Sequence, residues 1–321
     1  MSVNQRDRPV RVVYLGTPEF AVSPLMALHA DPRIDVRLVV TQPNRPAGRG
    51  RRLTPPPVAE VAIASGIPVY QPESLRAVAD AAPLLEAAPD VLVVVAYGEL
   101  LRRHVLHLAP HQCINVHPSL LPRYRGAAPI QAAIRDGSAQ TGVSIMRLVR
   151  KLDAGPIIAQ RVFDVAPDAT SATLSDALSM LASEMLPDVV WQWVTGDLAE
   201  CEQDEELVTH TREWTVDDAH IDWSASSTSI ERLVRAANPW PIAWTQLAGE
   251  RVQIHAARVA AADADVPTME AGVVTLQRRQ VLVGTGDGVL ELTRVQPAGK
   301  RQMAAGDWWR GLRRDTARFD T

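Results

Sequence analysis

Residues 113–126 read Cys-Ile-Asn-Val-His-Pro-Ser-Leu-Leu-Pro-Arg-Tyr-Arg-Gly. In an extended strand, successive side chains alternate faces. Asn115 and His117 therefore share one face while Ile114 and Val116 take the other. Pro118 removes a backbone donor and ends a central strand. An amide and an imidazole then stand side by side at a strand end, above a loop held by prolines. Open α/β sheets bind ligands in the crevice at their strand ends, so the stretch reads as an active site. A lone Asn or His in such a place is ordinarily a hydrogen-bonded structural residue. What separates this stretch from that case is the length of the whole string.

Toward the N-terminus, the apolar run 11–15 ends at Gly16 and reads as the first buried strand of a parallel sheet. Thr17 suits a helix N-cap, Pro18 the first helical position and Glu19 the positive helix end. Phe20, Leu25 and Leu28 would line one face of that helix, kept short or bent by Pro24, and a strand over 36–41 completes a βαβ unit. The turn lacks Gly-x-Gly-x-x-Gly, which weakens a dinucleotide reading. In 42–57, Arg45, Arg49, Arg51 and Arg52 crowd a loop rich in Gly and Pro, where no regular element is expected. Guanidinium forks match phosphate oxygens, so such a loop suits a phosphate backbone, or else it is simply solvated. Beyond it the pattern predicts a helix over 58–64, a strand over 67–70 and a helix over 74–88. The run 91–96 should be a central strand, closed by Tyr97-Gly98.

Toward the C-terminus, 127–136 reads as a helix and 142–149 as a strand with Val143, Ile145 and Val149 on one face. Asp153 follows in a turn where Gly155 and Pro156 break the chain. A strand over 157–165 precedes a helix in which Leu174, Leu178, Leu181 and Met185 recur at helical spacing, interrupted or kinked by Pro187 and ending near Gly196. Asp197, Glu200, Glu202, Asp204, Glu205 and Glu206 form an acidic stretch that reads as a solvated linker. Past Asp217, a helix with Ile230, Leu233, Val234 and Ala237 on one face leads into short strand-like runs at 252–259, 272–276, 280–283 and 289–295. Short strands with frequent turns suggest a small barrel, with the tryptophans in its core. Arg310, Arg313, Arg314 and Arg318 form a tail that either touches phosphates or is solvated. The expected architecture is a Rossmann-like, doubly wound, mostly parallel α/β sheet with a smaller C-terminal OB-like β-barrel. The expected boundaries are 1–198 for the first domain, 199–216 for the linker and 217–321 for the second domain.

The chain has 321 residues, enough for two domains, with 46% hydrophobic and 22% charged residues, the composition of an ordinary globular protein. A net charge of −4 argues against a uniformly basic nucleic-acid binder, and Lys occurs only at 151 and 300. No apolar run reaches membrane-spanning length, and residues 1–9 carry no secretory signal. Cys113 and Cys201 sit in no metal-ligand spacing, and no Cys or carboxylate joins His104, His107 and His111 at a recognised one. The expectation is a reducing cytoplasm and no metal.

The string Asn-Val-His-Pro-Ser-Leu-Leu-Pro-Arg-Tyr-Arg-Gly-Ala-Ala-Pro-Ile at 115–130, followed by Leu-Asp-Ala-Gly-Pro-Ile at 152–157, resembles the signature of the folate-dependent formyltransferases. Pro-Ala-Gly-Arg-Gly at 46–50, Asn-Pro-Trp-Pro-Ile-Ala-Trp at 238–244 and Gln-Pro-Ala-Gly-Lys at 296–300 resemble motifs of the methionyl-tRNA formyltransferases among them. The resemblance runs from Gly16-Thr17-Pro18 to Lys300. It implies the formyltransferase fold and formyl transfer from 10-formyltetrahydrofolate to the α-amine of methionyl initiator tRNA. Asn115, His117 and Asp153 would be catalytic, while Tyr97, Gly98, Ser119, Leu120, Leu121 and Pro122 would line the tetrahydrofolate site. Arg45, Arg49, Arg51 and Arg52, with the C-terminal barrel, would meet tRNA, in a monomer that works without metal or membrane. Departures from the family pattern are Asn44 for Asp, Pro118 for Gly or Ala, Lys151 for Gly, and Glu213 and Val216 for Lys. The alternatives are a 10-formyltetrahydrofolate hydrolase, a sugar-nucleotide formyltransferase and a non-catalytic tRNA-binding protein. The basic loop and the Pro-Ala-Gly-Lys motif speak against the first two, and the intact Asn, His and Asp set against the third.

Overall fold

The structure, a computed structural model, describes residues 8–47, 52–260 and 268–320. They form two compact units, one drawn from 1–126, 140–164 and 175–211, the other from 127–139, 165–174 and 212–321.

The first unit begins with β1 (Val10–Gly16), α1 (Val22–Ala30) and β2 (Ile34–Val40), then β3 (Arg45–Ala47), β4 (Arg52–Thr54), α2 (Pro57–Ala64) and β5 (Val69–Tyr70). It continues through α3 (Ala82–Glu86), β6 (Val91–Val95), α4 (Arg103–Leu106), β7 (Cys113–His117) and β8 (Arg125–Gly126). Its sheet runs β10-β9-β7-β6-β1-β2-β5, where β9 is Gln140–Arg147 and β10 is Ile157–Asp164. From β7 to β5 all pairings are parallel, and β9 and β10 add antiparallel strands at the other edge. β6 is buried at every position, as a strand covered on both faces must be. Val13, Leu15, Leu38, Val40, Leu92 and Val94 pack into one core with Leu84 of α3 and Val105 of α4. This places the C-terminal ends of β6 and β7 side by side, and the motif that follows β7 sits at that edge.

Several expectations fail for local reasons. Thr17 does not cap a helix: its hydroxyl donates to the Tyr97 carbonyl at 2.9 Å, and a 3₁₀ turn (Glu19–Ala21) precedes α1. Residues 42–57 are not without regular structure, because β3 and β4 pair as an antiparallel hairpin, Arg45 opposite Thr54. Pro46 is tolerated in a ladder with open edges. The helix expected over 74–88 is broken. Glu99 accepts the Leu75 N–H, a 3₁₀ turn occupies Val78–Ala81 and only α3 is α-helical. By contrast α6 (Ser171–Thr195) is continuous through Pro187, with Leu178, Met185 and Leu186 buried before it and Val190 and Val194 after it.

The acidic residues of 197–206 are exposed, as expected of a solvated stretch, yet the segment is tied to its neighbours. Cys201 bridges Ile157, Glu200 pairs with Arg147, and Glu205 pairs with Arg125 and Lys151. Further on, β11 (His210–Thr211) lies parallel to β8.

The second unit contains α5 (Pro129–Arg135), α7 (Ser227–Ala236), β12 (Ala243–Leu247), β13 (Glu250–Val259), β14 (Val273–Gln277), β15 (Gln280–Gly284), β16 (Val289–Pro297), β17 (Met303–Ala304), α8 (Ala305–Leu312) and β18 (Thr316–Arg318). Its antiparallel sheet runs β12-β13-β16-β15-β14-β18, and a bridge from Gln246 to Asp320 brings the two ends of that order together, curling the sheet into a barrel. Trp223 is buried, donates to Thr245 and stacks on Phe319, which in turn stacks on Trp308. The expected arginine tail is therefore built into the fold. Trp308 and Trp309 bury one side of α8, and Arg318 lies in β18 and pairs with Glu270. Trp240 is exposed at 52%, and Trp244 is half-buried, so neither is a core residue.

Candidate active site

The catalytic candidates assemble at the end of β7. Asn115 pairs with Val94 on one side and Met146 on the other, and its side chain is partly exposed. His117, two residues on and on the same face, is buried at 5% exposure. Its Nε2 lies 2.9 Å from the Tyr124 carbonyl and its Nδ1 3.8 Å from Asp153 Oδ2. A carbonyl only accepts, so Nε2 carries the proton in the neutral ring and Nδ1 turns its lone pair toward Asp153. Burial lowers the imidazole's pKa, while the Asp153 charge and the Tyr124 carbonyl oppose the shift.

Asp153 reaches His117 from a turn more than thirty residues on. Its φ of +47° is in the left-handed region, unusual for a residue with a Cβ, so neighbours must hold it there. One of them is the Gly126 N–H, which donates to Asp153 Oδ2 at 2.8 Å. Gly126 has φ +115°, and a Cβ there would lie 2.0 Å from the Thr211 carbonyl, so only glycine fits. Gly155 closes the same turn against the Arg147 carbonyl, 1.7 Å from where a Cβ would stand.

The folate candidates fall around this centre. Tyr97 is buried, and desolvation pushes its phenol pKa up, with Glu99 adding to the shift. Gly98 follows with φ +88°. Ser119 is fully buried and its hydroxyl donates to the Arg123 carbonyl at 2.6 Å, so it shapes the 119–122 loop from within. Leu121 is buried, and Leu120 and Pro122 are half-buried. Of the basic candidates, Arg45 is exposed on β3 and Arg52 opens β4, whereas Arg49 and Arg51 lie outside the described residues. Among the described residues, no group of three or more His, Cys, Asp or Glu is placed to hold a metal ion. Nor is any helix among them long and apolar enough to cross a membrane.

Residues 10–190 match the formyl transferase family, and 214–313 match the formyl transferase C-terminal domain. The methionyl-tRNA formyltransferase of Roseiflexus sp. strain RS-1 is 47% identical over 306 residues, covering 95% of this chain and 93% of its own. That of Methylococcus capsulatus is 43% identical over 93% of this chain and 96% of its own. The chain belongs to the methionyl-tRNA formyltransferase family. Solved structures share the family's fold at low identity. HypX from Aquifex aeolicus, in complex with tetrahydrofolic acid, aligns with a TM-score of 0.62 at 17% identity, over 93% of this chain and 46% of that one. This chain thus spans about half the length of HypX. WlaRD, a sugar 3N-formyl transferase, aligns with a TM-score of 0.64 at 14% identity, over 91% of this chain and 99% of its own.

Sequence reasoning missed a supporting set around the formyltransferase motif. Ser144, opposite His117 in the ladder, is fully buried. Its hydroxyl donates to the Ser119 carbonyl at 2.6 Å and accepts from the Leu121 N–H at 3.0 Å and Gln160 Nε2 at 2.8 Å. Gln160 also donates to the Leu121 carbonyl at 2.9 Å. The signal available was a serine in a strand that is otherwise apolar at its centre, because buried hydroxyls are there to be hydrogen-bonded. Arg125 was read only as part of the motif, yet its side chain is completely buried.

Proposed function

We infer that this enzyme transfers the formyl group of 10-formyltetrahydrofolate to the α-amine of methionyl initiator tRNA, giving N-formylmethionyl-tRNA. The observation that carries the chemistry is the convergence of partly exposed Asn115 with a buried His117–Asp153 pair at one strand end. The amine nitrogen attacks the formyl carbon, a C–N bond forms, and the carbonyl oxygen becomes an oxyanion. Asn115 donates its amide N–H to that oxygen. Nε2 of His117 is already engaged by Tyr124, so the ring meets the reaction through Nδ1, which becomes a donor once the proton released by the amine reaches it by way of Asp153. Asp153 stabilises that positive charge and accepts the proton released by the amine, directly or through water. As the bond to N10 breaks, this proton passes to the departing nitrogen, and the carboxylate and ring return to their starting states.

Leu120, Leu121 and Pro122, with Tyr97 and Gly98, offer apolar groups that suit the flat pterin portion of the donor. Arg45, Arg49, Arg51 and Arg52 supply guanidinium groups for acceptor-stem phosphates, and the C-terminal barrel adds further tRNA contacts. The enzyme works as a cytoplasmic monomer without metal, with domain boundaries at 198 and 217.

Incubating the enzyme with 10-formyltetrahydrofolate and methionyl initiator tRNA tests this reading. Formyl-methionyl-tRNA in step with tetrahydrofolate supports it. Free formate without formyl-methionyl-tRNA would indicate a hydrolase, and tRNA binding without folate turnover a non-catalytic binder.

A further inference from the structure

Residues 200–211 are stitched to the catalytic loops at almost every step. Thr209 accepts the Tyr124 N–H on its hydroxyl at 2.8 Å and the Arg125 N–H on its carbonyl at 2.9 Å. At the centre of this strap sits Gln203, 8% exposed, with its amide hydrogen-bonding capacity directed inward. Its Nε2 donates to the Asp153 carbonyl at 2.9 Å and the Gly155 carbonyl at 2.7 Å, and its Oε1 accepts from Arg125 Nε at 3.0 Å. Arg125 is in turn held by Glu205 at 2.8 Å, an interaction that, with Lys151, lowers the Glu205 carboxyl to about 2.

This arrangement answers a question the Asp153 turn raises. A non-glycine residue at φ +47° does not stay there by its own preference. The carboxylate is fixed by the Gly126 N–H, but its backbone is fixed by Gln203, which clamps the carbonyls on both sides of Ala154. Gln203 also joins that turn to Arg125, the residue before Gly126, so one amide links the two chain segments that aim the carboxylate.

We propose that Gln203 is a positioning residue for formyl transfer, holding the Asp153 turn, through Arg125, at the geometry that His117 and the incoming amine require. The proposal rests on Asp153 being the proton acceptor. Gln203 touches neither substrate in this scheme, so its loss should appear in turnover and not in binding.

The test is steady-state kinetics on the full-length enzyme with Gln203→Ala, Asp153→Asn and the double variant. Small displacements of catalytic groups cost up to about a hundredfold, so Gln203→Ala should lower kcat by about tenfold to hundredfold. KM for both substrates should stay within about twofold, because only transition-state interactions are lost. In the Asp153→Asn background, adding Gln203→Ala should cost less than about twofold, as expected for residues acting as one unit. A wild-type kcat for Gln203→Ala, or penalties that multiply in the double variant, would overturn the proposal. A wild-type kcat for Asp153→Asn would instead overturn the role given to Asp153, and the two failures are distinguishable. Should Gln203→Ala not fold, Gln203→Glu keeps the shape while its carboxylate faces two carbonyls. Its kcat should recover toward wild type as pH falls and the protonated carboxyl regains one donor. A pH profile superimposable on wild type would overturn the proposal.

Discussion

Arg45 and Arg125 carry the same guanidinium and serve opposite purposes. Arg45 stands exposed on the β3–β4 hairpin, where a polyanion can reach it. Arg125 has no exposed surface, and Gln203 and Glu205 hold it behind the catalytic turn. Charge in water is available for long-range, salt-sensitive recognition, whereas a buried charge is costly unless paired and so serves to hold geometry. The proposed function divides the molecule accordingly, with chemistry assigned to a closed hydrogen-bonded network and recognition to an exposed hairpin.

The sharpest way to break that division is at Asn115. Removing a single oxyanion donor should reduce kcat by a factor on the order of 10² to 10³. Rapid-quench assays of Asn115→Ala should show that loss with tRNA affinity unchanged. A smaller loss is expected at Ser144, which acts one layer behind. Ser144→Ala strands the Leu121 N–H and the Ser119 carbonyl, and should cost about 1 to 3 kcal/mol in denaturant unfolding while raising KM for the formyl donor more than KM for tRNA. Arg45→Ala probes the other side. Stability should change by less than about 0.5 kcal/mol, as for exposed positions generally. The slope of log affinity for tRNA against log salt should become shallower by roughly one.

The smallest effect concerns pH. Burial lowers the His117 pKa in the folded protein, so between that value and the unfolded value of about 6.5 the unfolded chain binds more protons. Stability from this group is therefore full above that window and falls as pH drops through it. Melting temperature measured from pH 7.5 to 5.5 should decline more steeply in wild type than in His117→Gln. His111 and His255 are also lowered by burial and contribute in both proteins.

What the sequence revealed follows the range of the interactions. Asn115 and His117 were legible together because strand alternation is local and strict. The parallel sheet was legible for the same reason, in runs such as 91–95 that are apolar at every position. Asp153 could be joined to them only through resemblance, since a turn gives no period by which to place it. Gln203 and Ser144 were not legible as support. Their partners lie 16 to 78 residues away, and a hydrogen bond across such a distance leaves no mark in spacing. The acidic run from 197 to 206 is exposed as its charge suggests, but its anchoring by Arg125, Arg147 and Lys151 left no mark for a related reason. The hairpin was misread because Pro46 in one arm and the glycines at 48 and 50 in the sequence argued against the pairing of its arms.

One measurement bears most directly on the division between chemistry and recognition: the single-turnover rate of formyl transfer at saturating 10-formyltetrahydrofolate and methionyl initiator tRNA. Wild type, His117→Ala and Arg45→Ala would be compared. His117→Ala should lose on the order of 10² or more, and Arg45→Ala, once tRNA saturates, should remain within about threefold of wild type, since uniform binding does not enter this rate. A near-wild-type rate for His117→Ala, or an equal loss in Arg45→Ala, would contradict it.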